Sequence, residues 1–229
     1  MCSVENAVIA AAGMGTRLGA GLPKCLVRVA DRPIIDYQLA LLREVPHVFM
    51  VVGFREMDVI EYVRKLRPDV IFVRNADFQH TKTLESFHLA ARGIAGRAVF
   101  MDGDMILEQE SFHNFMEKAA CSSDSLVAVT RRLSDEPVYA EMKGEPENLQ
   151  VEGFSYDKPS AYEWANVACL PAASVHGGTT HVFEFLRELL PLPAAVLDRL
   201  EVDTHEDLRI AEELVVKEAF WRHCFEGSL

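Results

Sequence analysis

The nine residues Ala10-Ala11-Ala12-Gly13-Met14-Gly15-Thr16-Arg17-Leu18, followed by Leu22-Pro23-Lys24, constrain the fold of this chain more than any other stretch. They continue the apolar run Ala7-Val8-Ile9-Ala10, which predicts a buried strand delivering a glycine-containing loop to the edge of a sheet. Gly13 and Gly15 let backbone N–H groups come close to an anion, and Arg17 and Lys24 bring two cations to the same loop. That combination suits a polyphosphate.

Two familiar phosphate loops fail to match. A Walker loop places four residues between its first glycine and Gly-Lys-Ser/Thr, whereas Lys24 follows Pro23 and precedes Cys25. A dinucleotide fingerprint needs a third glycine where this chain has Leu18. The pattern A-A-G-x-G-T-R, with Pro-Lys beginning six residues after the arginine, instead resembles the signature loop of the nucleotidyltransferase family. That family includes sugar-phosphate nucleotidylyltransferases and cytidylyltransferases acting on phosphocholine, inositol phosphate and similar phosphomonoesters. The resemblance implies a Rossmann-like α/β fold, with a mixed, mostly parallel sheet, helices on both faces and a small antiparallel ribbon. It also implies nucleotide contacts from Ala11, Ala12, Gly13, Met14, Gly15 and Thr16, and catalytic roles for Arg17 and Lys24.

Charge narrows the partners. A formal net charge of -12 disfavours a nucleic-acid binder, which needs a basic surface to displace counterions. An acidic protein that binds a triphosphate must gather its cations, or a metal, at one place, which gives Arg17 and Lys24 added weight. No stretch reaches the roughly 18 uninterrupted apolar residues of a spanning helix, and no basic-then-apolar leader opens the chain, so no membrane partner and a cytoplasmic location are expected. The five cysteines are scattered without a C-x-x-C pair, which points to reduced thiols. A chain of 229 residues fits one domain of the larger α/β kind. Residues 1–130 would mainly bind the nucleotide, 131–200 face the acceptor, and 201–229 form a closing strand and helix; a monomer or homodimer is expected.

Along the chain, Asp31-Arg32-Pro33 predicts a helix start, with Ile34, Ile35, Tyr37 and Leu39 on its apolar face. Val48 to Val52 and Val70 to Val73 read as buried strands, with Met57 to Leu66 as a helix between them. Alternating strands and helices argue for a parallel sheet covered on its faces. Asn75 to Lys82 is polar and aperiodic, and Thr83 to Ala90 restores a helical pattern. The resemblance makes Thr83 and Ser86 candidates for base or phosphate contacts; capping the helix is the other role open to Thr83.

Ala98-Val99-Phe100-Met101 reads as a strand ending in Asp102-Gly103-Asp104. Two carboxylates beside a glycine at a strand's carboxyl end can hold a magnesium ion, which prefers hard oxygen ligands; an Asp-Gly turn is the plainer alternative. In the resembled family the acidic residue after the glycine is the metal ligand and the one before it lies near the ribose, which implies Asp104 for Mg2+ and Asp102 for the nucleotide. Val138 to Met142 and Leu149 to Phe154 alternate apolar and polar positions around Gly144-Glu145-Pro146, predicting an antiparallel ribbon. Lys158, Glu163 and Asn166 resemble the family's acceptor-binding segment, with Lys158 meeting phosphate and counted with the catalytic residues. Ala168 stands where that segment commonly has glycine.

His176-Gly177-Gly178-Thr179-Thr180-His181 lacks a third metal ligand nearby and reads as the start of a helix from Val182 to Leu190, ended by Pro191 and Pro193. Thr204 and Asp207 predict a capping box for the last helix, and Phe220, Trp221 and Phe225 are expected to pack on their own domain. In V-D-T-x-E-D-L the resemblance makes Asp203 the second metal ligand. The implied reaction is attack by an acceptor phosphate on the α-phosphorus of a nucleoside triphosphate, releasing pyrophosphate. CTP with a small phosphorylated alcohol or phosphonate is the favoured pair. A hexose-1-phosphate uridylyl- or guanylyltransferase is the close alternative, and a nucleotide-sugar glycosyltransferase using Asp102 and Asp104 a more distant one.

Overall fold

The computed structural model describes residues 4–15, 17–19, 21–131, 134–145 and 148–217. Thr16 and the aromatic residues Phe220, Trp221 and Phe225 therefore lie outside the described residues. Strand β1 (Asn6–Ala11) is flanked by β4 (His47–Val52) on one side and β6 (Arg97–Asp102) on the other, parallel to both, and β5 (Ile71–Arg74) extends the sheet beyond β4. The apolar runs seen in the sequence form these central strands because both of their faces are covered. Ala7, Ile9 and Ala11 pack with α1 (Ile34–Leu41), α2 (Glu56–Leu66) and α4 (Gln109–Cys121). Val8, Val51 and Phe100 face the other way, against α3 (Thr83–Ala91) and α5 (Val182–Arg187).

Beyond β6 the sheet changes character. Strand β11 (Glu163–Pro171) is antiparallel to β6 and to β8 (Leu126–Thr130). Then come β12 (Leu192–Val196), parallel to β8, and the expected ribbon of β9 (Tyr139–Lys143) and β10 (Gln150–Ser155). The order is β5-β4-β1-β6-β11-β8-β12-β10-β9, with Glu163 of β11 also paired to Tyr139 of β9. Two smaller sheets complete the described structure: β2 (Arg28–Val29) with β3 (Arg32–Pro33), and β7 (Met105–Leu107) with β13 (Arg199–Glu201). Helix α6 (His205–Lys217) follows. No helix among the described residues is long and apolar enough to cross a membrane.

Three local expectations shift. Asp31 takes a left-handed turn conformation, φ 71°, that lets Arg32–Pro33 pair back on Arg28–Val29, so α1 begins at Ile34 with Pro33 as its N-cap. The helix expected over Val182 to Leu190 stops at Arg187. Pro193 does not end it but sits inside β12, opposite Gln150, on a side where only two ladder positions, Leu192 and Pro193, are paired.

At the end of β6 farthest from the loops, the Arg97 guanidinium donates to the carbonyls of Ala119 (2.7 Å), Ser122 and Asp124, closing the carboxyl end of α4. These are acceptors a helix end otherwise leaves unpaired. Replacing Arg97 with Met should lower stability by about 2–4 kcal/mol, read as a reduced urea midpoint at unchanged m-value.

Candidate active site

Strands β1, β4, β5 and β6 run in one direction, so the segments following them gather at one edge of the sheet, where open α/β sheets bind ligands. The cleft there has a volume of about 860 Å³. Its floor is built by two glycines. Gly103 lies so close to β1 that a Cβ would fall 2.8 Å from the carbonyl oxygen of Ala10, to which Gly103 N donates at 2.9 Å. The loop after β1 and the Asp102-Gly103-Asp104 turn are thereby in contact. Gly15, at φ 59°, would place a Cβ 2.6 Å from Cγ of Lys24, so only glycine lets the loop rest on that lysine.

Lys24 opens a short 3-10 turn, Lys24–Leu26, which aims its side chain across the cleft. Its Nζ pairs with Oδ2 of Asp104 at 2.9 Å and with Asp203, and Arg17 pairs with Asp203 as well. The four side chains singled out from distant parts of the sequence therefore meet. Gln38 of α1, fully buried, donates from Nε2 to the carbonyls of Asp102 (2.7 Å) and Met105 (3.1 Å) and holds the acidic turn in place. Asp203 is placed by the β7 and β13 pairing, continued by Val202 N donating to the Asp104 carbonyl at 3.0 Å. The predicted capping box is present: Asp207 Oδ2 accepts from Thr204 N at 2.8 Å, and Thr204 Oγ1 accepts from Asp207 N at 3.2 Å.

Glu201, which the sequence reading missed, joins this group. Carboxylate oxygens of Asp104, Glu201 and Asp203 lie within 4.8 Å of one another, a set that could hold a metal ion. The E-x-D spacing was the available signal, since alternate residues of an extended segment share a face. Glu201 is gripped by Arg199 at 2.7 Å, and Arg199, 4% exposed, also pairs with the buried Glu163 at 2.5 Å. Asn166 reaches Glu201 at 3.5 Å from a left-handed position, φ 58°, inside the irregularity of the β11 and β8 pairing. A bulge of this kind re-aims a side chain that regular pleating would bury.

The remaining predicted residues divide. Ala11, Ala12, Gly13, Gly15, Asp102, Thr83, Ser86, Glu163 and Asn166 line the cleft. Thr83 is the first residue of α3, Lys82 holding the cap position, so the cap alternative is not realised. Met14 is half exposed and outside the cleft wall. Lys158 is not brought to the site: its ammonium pairs with Glu141 on the ribbon at 3.0 Å, largely exposed, and does not line the cleft. The Glu163 carboxylate is committed to Arg199 and to Ser134, whose backbone N donates at 2.9 Å. The buried Asn75 was also missed. It organises the loop before α3, donating to Thr81 Oγ1 at 3.0 Å and Ser86 Oγ at 3.2 Å and accepting from Asp77 N at 3.1 Å. His181 caps α5 and His176 lies against Phe185 and Glu188.

Residues 7–187 match the sequence profile of the MobA-like NTP transferase domain. The chain belongs to this family. Among curated relatives, this NTP transferase chain is similar to the bifunctional protein GlmU of Clavibacter sepedonicus, 30% identical over 133 residues, covering 56% of this chain and 27% of that protein. It is likewise similar to the choline-phosphate cytidylyltransferase of Streptococcus pneumoniae, 30% identical over 119 residues, covering 50% and 51%. The matched stretch thus spans about a quarter to a half of these relatives. The inositol-1-phosphate CTP transferase from T. maritima shares the fold, with TM-score 0.75, 18% identity and coverage of 99% of this chain and 98% of that one.

Electrostatics at the site oppose one another. Burial, reinforced by the charges of Asp104 and Glu201, pushes the Asp102 carboxyl well above the ordinary aspartate value of 3.8, with Lys24 and Arg199 pulling the other way. Burial likewise raises Glu201, against the pull of Arg199. A carboxyl raised on folding contributes stability that is complete below its unfolded pKa and is lost as pH climbs through the raised value. Asp102→Asn should therefore melt higher than the parent protein at pH 7 in EDTA. The gain should shrink to nothing as pH approaches 3.8, measured by thermal melts across that range.

Proposed function

We propose that this chain transfers a nucleotidyl group, favouring CTP, to a small phosphomonoester or phosphonate and releases pyrophosphate. The observation that carries the reading is the convergence of Lys24, Asp104 and Asp203 beside the glycine loop, at one end of the cleft. Asp104, Glu201 and Asp203 are hard oxygen donors, and Asp104 Oδ1 is buried without a hydrogen-bond partner, a donor set that suits magnesium. Magnesium held there supplies positive charge to phosphate oxygens and orients them.

The chain's own residues account for the rest. The attacking phosphate oxygen is already anionic near neutral pH, so no side chain needs to remove a proton. It forms a bond to the α-phosphorus as the bond to the β-phosphate bridging oxygen breaks, and pyrophosphate leaves with that electron pair. The obstacle is repulsion: two unit charges about 4 Å apart interact by about 4 kcal/mol at an effective dielectric near 20. Lys24 stands where it can bridge the α-phosphate and the acceptor phosphate. Arg17 and the amides of the Gly13 to Gly15 loop bind the β and γ phosphates and stabilise the leaving group. The buried Asp102 offers an unpartnered Oδ1 to a ribose hydroxyl. The loop ordered by Asn75, with Thr83 and Ser86, forms the base side of the cleft.

A panel crossing four nucleoside triphosphates with several phosphomonoesters, read by pyrophosphate release, tests this reading; silence across the panel overturns it, and hexose 1-phosphate turnover with UTP or GTP replaces the CTP assignment. Lys24→Met should cut kcat/KM by about 10²–10³-fold. Asp104→Asn should abolish magnesium-dependent turnover and the rise in melting temperature produced by magnesium, while circular dichroism stays that of the parent.

A further inference from the structure

Glu163 opens β11 at the edge of the cleft, yet it is only 1% exposed and both oxygens of its carboxylate are already engaged. Oε2 accepts from Ser134 N at 2.9 Å and from Ser134 Oγ at 3.0 Å, and Oε1 accepts from Arg199 Nη2 at 2.5 Å. A substrate hydroxyl would have to displace one of these partners at a position that solvent barely reaches. The group that Glu163 does address is Arg199.

Arg199 stands between two carboxylates. It lies two positions before Glu201 on β13, so the two side chains share a face, and Nη1 donates to Glu201 Oε2 at 2.7 Å while Nη2 serves Glu163. The guanidinium is 4% exposed, and its Nε is buried without a hydrogen-bond partner. A buried donor left unmet costs stability, so Arg199 is held where its charge reaches both carboxylates rather than where its hydrogen bonds are complete. One positive charge divided between two negative ones cancels neither. Glu201 therefore keeps charge for its other neighbours, and among the described residues its Oε1 accepts only from the Asn166 amide, at 3.5 Å. Counted as charges, Glu163 cancels Arg199, which leaves Asp104, Glu201 and Asp203 opposed by Lys24 and Arg17. The hold of a carboxylate set on a divalent ion follows the charge of that set. Without Glu163, the whole charge of Arg199 would bear on Glu201.

We infer that Glu163 is a positioning residue rather than an acceptor contact: it draws the charge of Arg199 away from Glu201 and so sets how strongly Asp104, Glu201 and Asp203 hold a divalent ion. The inference rests on the assignment of these three carboxylates to magnesium made above, and is independent of which nucleotide and acceptor are used.

The test titrates the full chain with manganese alone, a paramagnetic stand-in for magnesium, and reads the free ion by electron paramagnetic resonance. Glu163→Gln should weaken manganese binding by about 10–100-fold. Adding Arg199→Gln to it should bring the affinity back toward that of the parent, because the undivided charge is gone while the new amide can still donate to Glu201. Thermal melts fix a temperature at which each chain is folded. If Glu163→Gln is folded at none, Glu163→Asp is read in its place; it draws the carboxylate back from Arg199 by one methylene and should shift the affinity in the same direction. Unchanged affinity in a folded Glu163 variant overturns the inference. So does a further fall in the double variant, the result expected if the pair matters only for packing. Unchanged manganese affinity together with a raised KM for the phosphomonoester also overturns it, and returns Glu163 to an acceptor role. A parent chain that takes up no manganese overturns the magnesium assignment and the inference together, whereas a parent that binds manganese no better than its variants overturns the inference alone.

Discussion

Three residues of antiparallel pairing, Met105 to Leu107 against Arg199 to Glu201, determine whether the acidic groups of the candidate site come together at all. The acidic turn at the end of β6 and the acidic segment after β13 are about a hundred residues apart. Gln38 of α1 anchors the first segment and Leu197 N, donating to the Val129 carbonyl, anchors the second to the main sheet. The short ladder sets their register against each other, because each backbone hydrogen bond fixes one residue opposite another and a one-residue slip would send every side chain to the other face. With the register as it is, and Val202 N on the Asp104 carbonyl, three carboxylates stand within 4.8 Å of one another.

Concentrating negative charge in this way is unfavourable, and the surrounding structure offsets it one group at a time. Lys24 lies between Asp104 and Asp203, Arg199 between Glu163 and Glu201, and Arg17 at the outer side of Asp203. A buried pair such as Arg199 and Glu163 adds little net stability over apolar packing, but Arg199 also neutralises Glu201. Its value lies in position, since it holds Glu201 from behind and leaves the front of that carboxylate toward Asp104. The strained backbone of Asn166 belongs to the same device. Outliers of this kind persist where neighbouring contacts over-determine them.

Much of the fold was legible because its signals are local. The apolar runs of β1, β4 and β6 and the Thr204 and Asp207 capping box could be read from neighbouring letters. β12 was not legible, because Pro191 and Pro193 argue against a strand unless one knows that Pro193 faces a sparsely paired side. Lys158 followed the acceptor-segment pattern but, from the bend after β10, is held by Glu141 of β9, a partner distant in sequence and invisible before the ribbon is folded. Glu201 went unread because an acidic residue two positions before another is common, and only the β7 partner makes it part of a set.

By itself the sequence determined the ingredients: a glycine loop that admits an anion, two cations at fixed sequence spacings from it, acidic residues at the ends of strands, and a surplus of negative charge that disfavours a general nucleic-acid binder. Those properties depend on residues near one another in the chain, or on sums over it. Only the tertiary structure decided which carboxylates share a site and which cations pair with them. These depend on register and on competition among partners drawn from distant segments, and a charge already paired with a neighbour is chemically a different group from the same letter left facing the cleft.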